Sequence, residues 1–117
     1  PFEKWPIPEF EPLTEDFKYV TVNENTRIPI VMMGWHGPDT RNDIKSTYTA
    51  DVFYYVLAQK TSKLQQDLVE SGLAFDVSLI WYTNKYTGPI NLVLVPHPDH
   101  IEEAVAKGAE MAKKQAA

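Results

Sequence analysis

A period of two over residues 75–82 is the feature that most constrains what this chain can fold into. Phe75, Val77, Leu79 and Trp81 alternate there with Asp76, Ser78, Ile80 and Tyr82. Side chains two apart lie on the same face of a β-strand, so this stretch predicts a half-buried strand. Residues 84–89 are typical of a turn, and residues 90–95 form a second apolar run. The two runs together predict an antiparallel hairpin with a long loop.

Two further strands are predicted upstream of this hairpin. Residues 19–22 and 28–35 are rich in β-branched and apolar residues, and the polar residues 23–25 between them are typical of a turn. Pro29 has no N–H, so it restricts the start of the second of these strands to an edge or a bulge.

Three helices are predicted from capping residues and helical spacing. Thr40 with Asp43 resembles a capping box that opens the first helix, which should continue to about Ala58. Apolar residues recur at helical spacing along it, at Ile44, Tyr48, Val52, Tyr55 and Val56. Ser62 with Gln65 opens a second, shorter helix.

Glycine and acidic residues mark the remaining helix boundaries. Gly72 is suited to the left-handed position that ends the second helix. The apolar residues of this helix are Leu64, Leu68 and Val69. Asp99 with Glu102 is predicted to cap the third helix. The apolar face of that helix comprises Ile101, Ala104, Val105, Gly108, Met111 and Ala112.

The element order predicts an α+β fold, a mostly antiparallel sheet with helices packed on one face. Four of the nine prolines lie within the first twelve residues, so residues 1–16 are predicted to be a Pro-rich linker or arm and residues 17–117 the α+β domain. Because the chain opens with Pro1, we expect it to be a piece of a longer protein.

Charge and composition narrow the classes of partner. The net charge of −5 argues against nucleic acid or an anionic membrane as the main partner. No apolar run approaches the ~20 residues of a membrane-spanning helix. The absence of cysteine excludes disulfides, thiolate metal sites and a cysteine nucleophile, and it leaves the compartment open, periplasmic or cytoplasmic.

The residues themselves do not assemble an active site. The three histidines are His36, His97 and His100, and His97 and His100 flank a predicted helix start rather than sharing one helical face. No serine lies in a Gly-x-Ser-x-Gly elbow, and no glycine cluster resembles a phosphate-binding loop. Aromatic residues crowd the first helix and the hairpin, which is typical of a core with one protein-binding surface.

Three segments carry a resemblance to a known family. Residues 51–57 read DVFYYVL, residues 62–64 read SKL, and residues 68–74 read LVESGLA. This combination, followed by a strand, resembles the insulinase/pitrilysin metallopeptidases, which include the mitochondrial processing peptidases. The outline of the resemblance runs from about Tyr19 to Met111, and the chain would be the first part of a longer family domain.

The resemblance implies a domain without catalytic residues. Active domains of the family carry His-x-x-Glu-His on a helix, whereas residues 46–55 of the first helix contain no histidine. The chain therefore resembles the family's zinc-free half, with no catalytic, cofactor or metal residues of its own. Zinc is expected in a zinc-bearing homologous domain or subunit, which would be the partner that this half helps to close over a peptide substrate.

Two alternatives to the zinc-free half stay open at this point. The chain could be a small metal-dependent hydrolase that uses His36, His97 and His100, in which case stoichiometric metal would be lost on His97→Ala. It could instead be a free-standing protein interaction module. A truncated family domain would also expose a sheet edge or an apolar helix face, so association of the chain with itself or with missing sequence is a further expectation.

Overall fold

The computed structural model describes residues 4–9 and 11–116, with side chains to residue 114. Three strands and three helices form its regular structure. The strands are β1 (Val31–His36), β2 (Ala74–Ile80) and β3 (Pro89–Pro96). The helices are α1 (Ile44–Leu57), α2 (Lys63–Gln65), which continues as a π-helical turn over Gln66–Glu70, and α3 (Ile101–Ala116), which follows a 3₁₀ turn at Pro98–His100.

The three strands form one antiparallel sheet with β3 at its centre. The strand order is β1-β3-β2, and the register pairs Leu94 with Val31 on one side and with Val77 on the other. The predicted hairpin of β2 and β3 is confirmed. Its ladder shifts between Ala74 and Asp76, where an irregularity lets the start of β2 meet the end of β3.

The helices cover one face of this sheet. Leu94 is fully buried in the cluster that α1, α2, α3 and the sheet share. That cluster comprises Leu57, Leu64, Leu68, Ala74, Val77, Leu92, Leu94 and Met111. The predicted α+β class, with helices packed on one face of an antiparallel sheet, is confirmed.

The boundaries of the second helix are also confirmed. The Ser62 hydroxyl accepts a hydrogen bond from the Gln65 amide at 3.3 Å, and it donates one to the Leu57 carbonyl at 2.9 Å. Gly72 has a φ of +82°, the left-handed conformation in which glycine has no side-chain penalty. The predicted apolar residues Leu64 and Leu68 lie in the core.

The prediction of a strand over residues 19–22 is wrong. Within residues 11–30 the described backbone contains a turn, in which the Thr26 amide donates to the Asn23 carbonyl at 3.0 Å, but no strand. Alternation gives a strand only where a neighbour accepts its backbone hydrogen bonds, and β1 pairs with β3 instead. The strand predicted over residues 28–35 begins only at Val31, beyond Pro29. The linker boundary between residues 16 and 17 stays a prediction.

Two predicted helix caps are wrong. The cap of α1 is Asp43, whose carboxylate accepts from the Ser46 amide at 2.9 Å, while the Thr40 amide donates to the Asn84 carbonyl. The 3₁₀ turn that leads into α3 is capped by His97, whose Nδ1 accepts from the Asp99 amide at 3.3 Å, so the residue predicted as the cap donates instead. Pro98 follows His97 in the first helical position, which suits a residue without an N–H.

The cap of α1 predicts a pH-dependent stability. Hydrogen bonds from the Ser46 side chain and amide lower the pKa of Asp43 below its ordinary value of 3.8. A lowered folded-state pKa stabilises the fold above about pH 3.8, and that stabilisation is lost as the pH falls through the folded-state pKa. We expect Asp43→Ala to lower the melting temperature by about 3–6 °C at pH 7.

Asp43→Asn is the matched control, because asparagine caps helices about as well as aspartate but does not titrate. Its melting temperature should stay close to that of the parent at pH 7, and the parent should lose the greater share of its stability on acidification. Thermal unfolding followed by circular dichroism between about pH 7 and pH 2.5 measures this. An Ala variant as stable as the parent at pH 7 would refute the cap.

The end of β1 is held against the hairpin loop at Gly37. Its amide donates to the Gly88 carbonyl at 2.7 Å, and a Cβ at this position would overlap the Trp81 ring and lie 3.0 Å from Ile90. We therefore expect Gly37→Ala to lower the free energy of unfolding by about 1–3 kcal/mol in urea denaturation. Gly34→Ala is the control.

At Gly34 the added methyl group meets only the Asn91 side-chain oxygen, at 2.9 Å, and that side chain can move away. Its effect should stay within about 0.5 kcal/mol. Equal losses for Gly34→Ala and Gly37→Ala would contradict the close approach of β1 to the hairpin loop.

Candidate functional site

Helix α1 is the element in which the resemblance would put catalytic residues, and it carries one carboxylate. Its carboxylate, Asp51, accepts hydrogen bonds at one oxygen from the Trp81 indole N–H at 2.8 Å and from the Thr83 hydroxyl at 2.7 Å. Trp81 is buried, so its N–H needs an acceptor within the protein. Asp51 thus joins α1 to the hairpin, a structural role that the sequence analysis did not identify.

An apolar cavity of about 430 Å³ lies between α1, α3 and the covered face of the sheet. Its walls are mostly aromatic and aliphatic, with Phe53 from α1, Met111 from α3 and Leu79 from β2. His36 and Lys113 are the side chains in this lining that can ionise, and the lining supplies no carboxylate. A hydrolytic site needs a nucleophile or an activated water beside an acid or base, and this lining places no hydroxyl or carboxylate side chain beside His36 and Lys113.

The three histidines lie at opposite ends of the sheet. His36 pairs with Pro89 at the start of β3, whereas His97 follows Pro96 at its end. Eight residues of extended strand span about 25 Å, so a metal site that uses all three histidines does not fit this geometry.

His97 and His100 do lie together, with ring centroids 5.7 Å apart. Each has a carboxylate near its Nδ1, Asp99 at 3.6 Å from His97 and Glu103 at 3.4 Å from His100. In the described part of the chain, no three histidine or acidic side chains converge as a metal site would require. The prediction that this chain has no metal residue of its own stays a prediction.

A buried carboxylate holds the loop before α1 against the hairpin loop. Asp39 accepts from the Asn42 amide at 2.7 Å and from the Thr87 hydroxyl at 3.3 Å. The Asn42 backbone hydrogen bond is the main cause that lowers the pKa of Asp39 below its ordinary value. The group is therefore a fixed anion at neutral pH and is unsuited to act as a proton donor.

The outward face of α1 is apolar. The residues found there at helical spacing are exposed, not part of the core: Ile44, Tyr48, Val52, Tyr55 and Val56. Thr47 and Leu57 are the buried residues of this helix. The predicted aromatic surface is thus present in part, since Tyr48 and Tyr55 face outward while Phe53 packs against the core. None of the described helices is both long and apolar enough to span a bilayer.

The contact between Asp51 and Trp81 predicts a measurable loss on mutation. Asp51→Ala removes the acceptor of a buried indole N–H, so we expect the free energy of unfolding to fall by about 1–3 kcal/mol. Asp51→Asn keeps an oxygen in the same place and should lose less. Urea denaturation followed by tryptophan fluorescence provides the measurement.

Thr83→Val is the control, because it removes the second, exposed donor to the same oxygen. Its effect should stay within about 0.5 kcal/mol. A loss for Thr83→Val as large as that for Asp51→Ala would show that the Asp51–Trp81 bond is not what ties α1 to the hairpin.

Comparison with known proteins identifies the family. The family model described as the Peptidase M16 inactive domain matches residues 1–114, nearly the whole chain. No curated protein and no solved structure matches this chain. The match agrees with a helix α1 that carries a carboxylate used for packing and no histidine. The chain belongs to the peptidase M16 family, as an inactive domain.

Proposed function

We propose that this domain acts as the non-catalytic half of a zinc-dependent peptidase. In this proposal it associates with a zinc-bearing homologous domain or subunit and helps to enclose the peptide substrate. The match to the inactive domain of the family is the observation that carries it. The parent protein or complex would be a zinc metalloendopeptidase, and this chain would hydrolyse nothing alone.

The chemistry of α1 supports a role without catalysis. A His-x-x-Glu-His site needs two imidazoles and a glutamate on one helix, and α1 contains neither residue type. Its residues do not fit zinc, so we derive no catalytic step in this chain. The side chain that could serve as a base, Asp51, already accepts two hydrogen bonds from the hairpin.

The surface of the domain supports a role in association. Large apolar side chains stay exposed on α1 and on the open face of the sheet, at Tyr48 and Val52 on the helix and at Met32 and Phe75 on the strands. Exposed apolar surface of this extent is typical of a protein that contacts another protein.

A reconstitution experiment tests this proposal. The full chain, a homologous domain that carries His-x-x-Glu-His, and an equimolar mixture would each be supplied with zinc and a quenched fluorescent peptide. We expect no hydrolysis by the chain alone and at least about a 10-fold higher kcat/KM in the mixture than with the zinc-bearing domain alone, because enclosure orients the peptide.

Heat-denatured chain is the control, since it supplies the same residues without the fold. Hydrolysis by the chain alone that disappears in His97→Ala would contradict the proposal and favour the metal-dependent hydrolase. A mixture no faster than the zinc-bearing domain alone would contradict the role in enclosure.

A further inference from the structure

The two long helices that cover the sheet differ on their outward faces. α3 presents charged side chains to solvent, including the Lys114–Glu110 ion pair. The outward face of α1 presents Ile44, Tyr48, Val52, Tyr55 and Val56, all more than half exposed. A helix that is apolar on both sides is typically covered on both sides. The residues described before β1 leave this face of α1 open.

Four of these residues form a single ridge. Ile44, Tyr48, Val52 and Val56 are spaced four residues apart, which is the i±4 row along which helices most often pack. Beside the ridge runs a shallow groove of about 520 Å³. Its lining is Lys45, Tyr48, Thr49, Val52, Phe53 and Val56. The groove lies between the ridge and the neighbouring row of Lys45, Thr49 and Phe53.

We propose that this ridge and groove form a self-association surface, on which a second copy of the chain docks its own α1. One helix carries both the ridge and the groove that receives it, so two copies related by a twofold axis can fill each other's grooves. Interdigitated i±4 rows cross at about −50°, the commonest packing of helices in globular proteins. The proposal places the twofold axis at Val52, the most exposed residue of the ridge, so that each Val52 faces its counterpart.

The area of the surface suffices for a specific contact. Complete coverage of the ridge and Tyr55 would remove at most about 600 Å² from each copy and about 1,200 Å² in total, which reaches the lower end of the range for specific interfaces. The ridge carries no charge, and the adjacent Lys45 lies in the first turn of the helix, toward the rim. No ionised group therefore has to be desolvated at the centre of the contact. The proposal goes beyond the peptidase role and does not depend on it.

Sedimentation velocity of the full chain at increasing concentration tests the proposal. We expect a reversible dimer with a dissociation constant in the micromolar range, weakened at least about 10-fold by Val52→Glu and equally by Val52→Lys. Val52 is 65% exposed, so either charge should leave the fold intact, which circular dichroism checks. Because the two substituted side chains would meet at the axis, a mixture of both variants should dimerise again.

Met32→Glu is the matched control, since Met32 is 61% exposed but lies on the open face of the sheet. It should leave the dimer unchanged. A parent chain that stays monomeric at every concentration would overturn the proposal. Disruption by Met32→Glu but not by the Val52 variants would also overturn it, and would place the contact on the sheet.

A third result would overturn the choice of occupant alone. If the parent chain is monomeric but Val52→Glu loses binding to the zinc-bearing domain, then α1 contacts that domain rather than a second copy. The peptidase role would then survive. Failure of the peptidase role would be seen in a different experiment, as a kcat/KM of the reconstituted mixture equal to that of the zinc-bearing domain alone.

Discussion

The central strand β3 is the constraint on which the rest of the structure depends. It supplies backbone hydrogen bonds to β1 on one side and to β2 on the other, and its inward residues Leu92 and Leu94 form the floor of the core. Every helix reaches the core through contact with this strand or with its neighbours. Leu94 is fully buried beneath the three helices. Replacing it with a polar residue would therefore bury a polar group without a hydrogen-bond partner.

The placement of α1 follows from this arrangement. Two sets of hydrogen bonds hold α1 to the hairpin. The Asp51 carboxylate accepts at one oxygen from Trp81 and Thr83, and the Asp39 carboxylate, in the loop before α1, accepts from Thr87 in the hairpin loop. The chain matches the domain of the peptidase M16 family that is described as inactive, and within it Asp51 joins α1 to the hairpin. The same placement leaves the other side of α1 apolar and open.

Local sequence patterns predicted the hairpin and the second helix well. The period of two over residues 75–82 needs a partner strand, and the next apolar run is close enough to supply one. Ser62 and Gly72 act on their own immediate backbone, so their roles can be predicted without tertiary information. The family was likewise predicted from three short segments, and the family match confirms it.

The failed predictions depended on partners that are distant in sequence. Residues 19–22 are rich in residues that favour strands, yet no described neighbour pairs with them. Thr40 resembles a helix cap, but its amide donates a hydrogen bond to the Asn84 carbonyl, more than forty residues away. The cap of α1 is Asp43. The helical spacing of Tyr48 and Val52 shows that they share a face, but not whether that face meets the sheet or points away from it. The bond from Trp81 to Asp51 joins two elements thirty residues apart.

A zinc titration of the full chain, by calorimetry and by metal analysis after dialysis, tests the central claim most directly. The claim that we propose is that helix α1 serves packing and association rather than metal chemistry. We predict that zinc binds no tighter than the weak association expected of exposed histidines, and that dialysis leaves no stoichiometric metal. One tightly held equivalent of zinc per chain, lost on substitution of His97 or Asp51, would contradict the account.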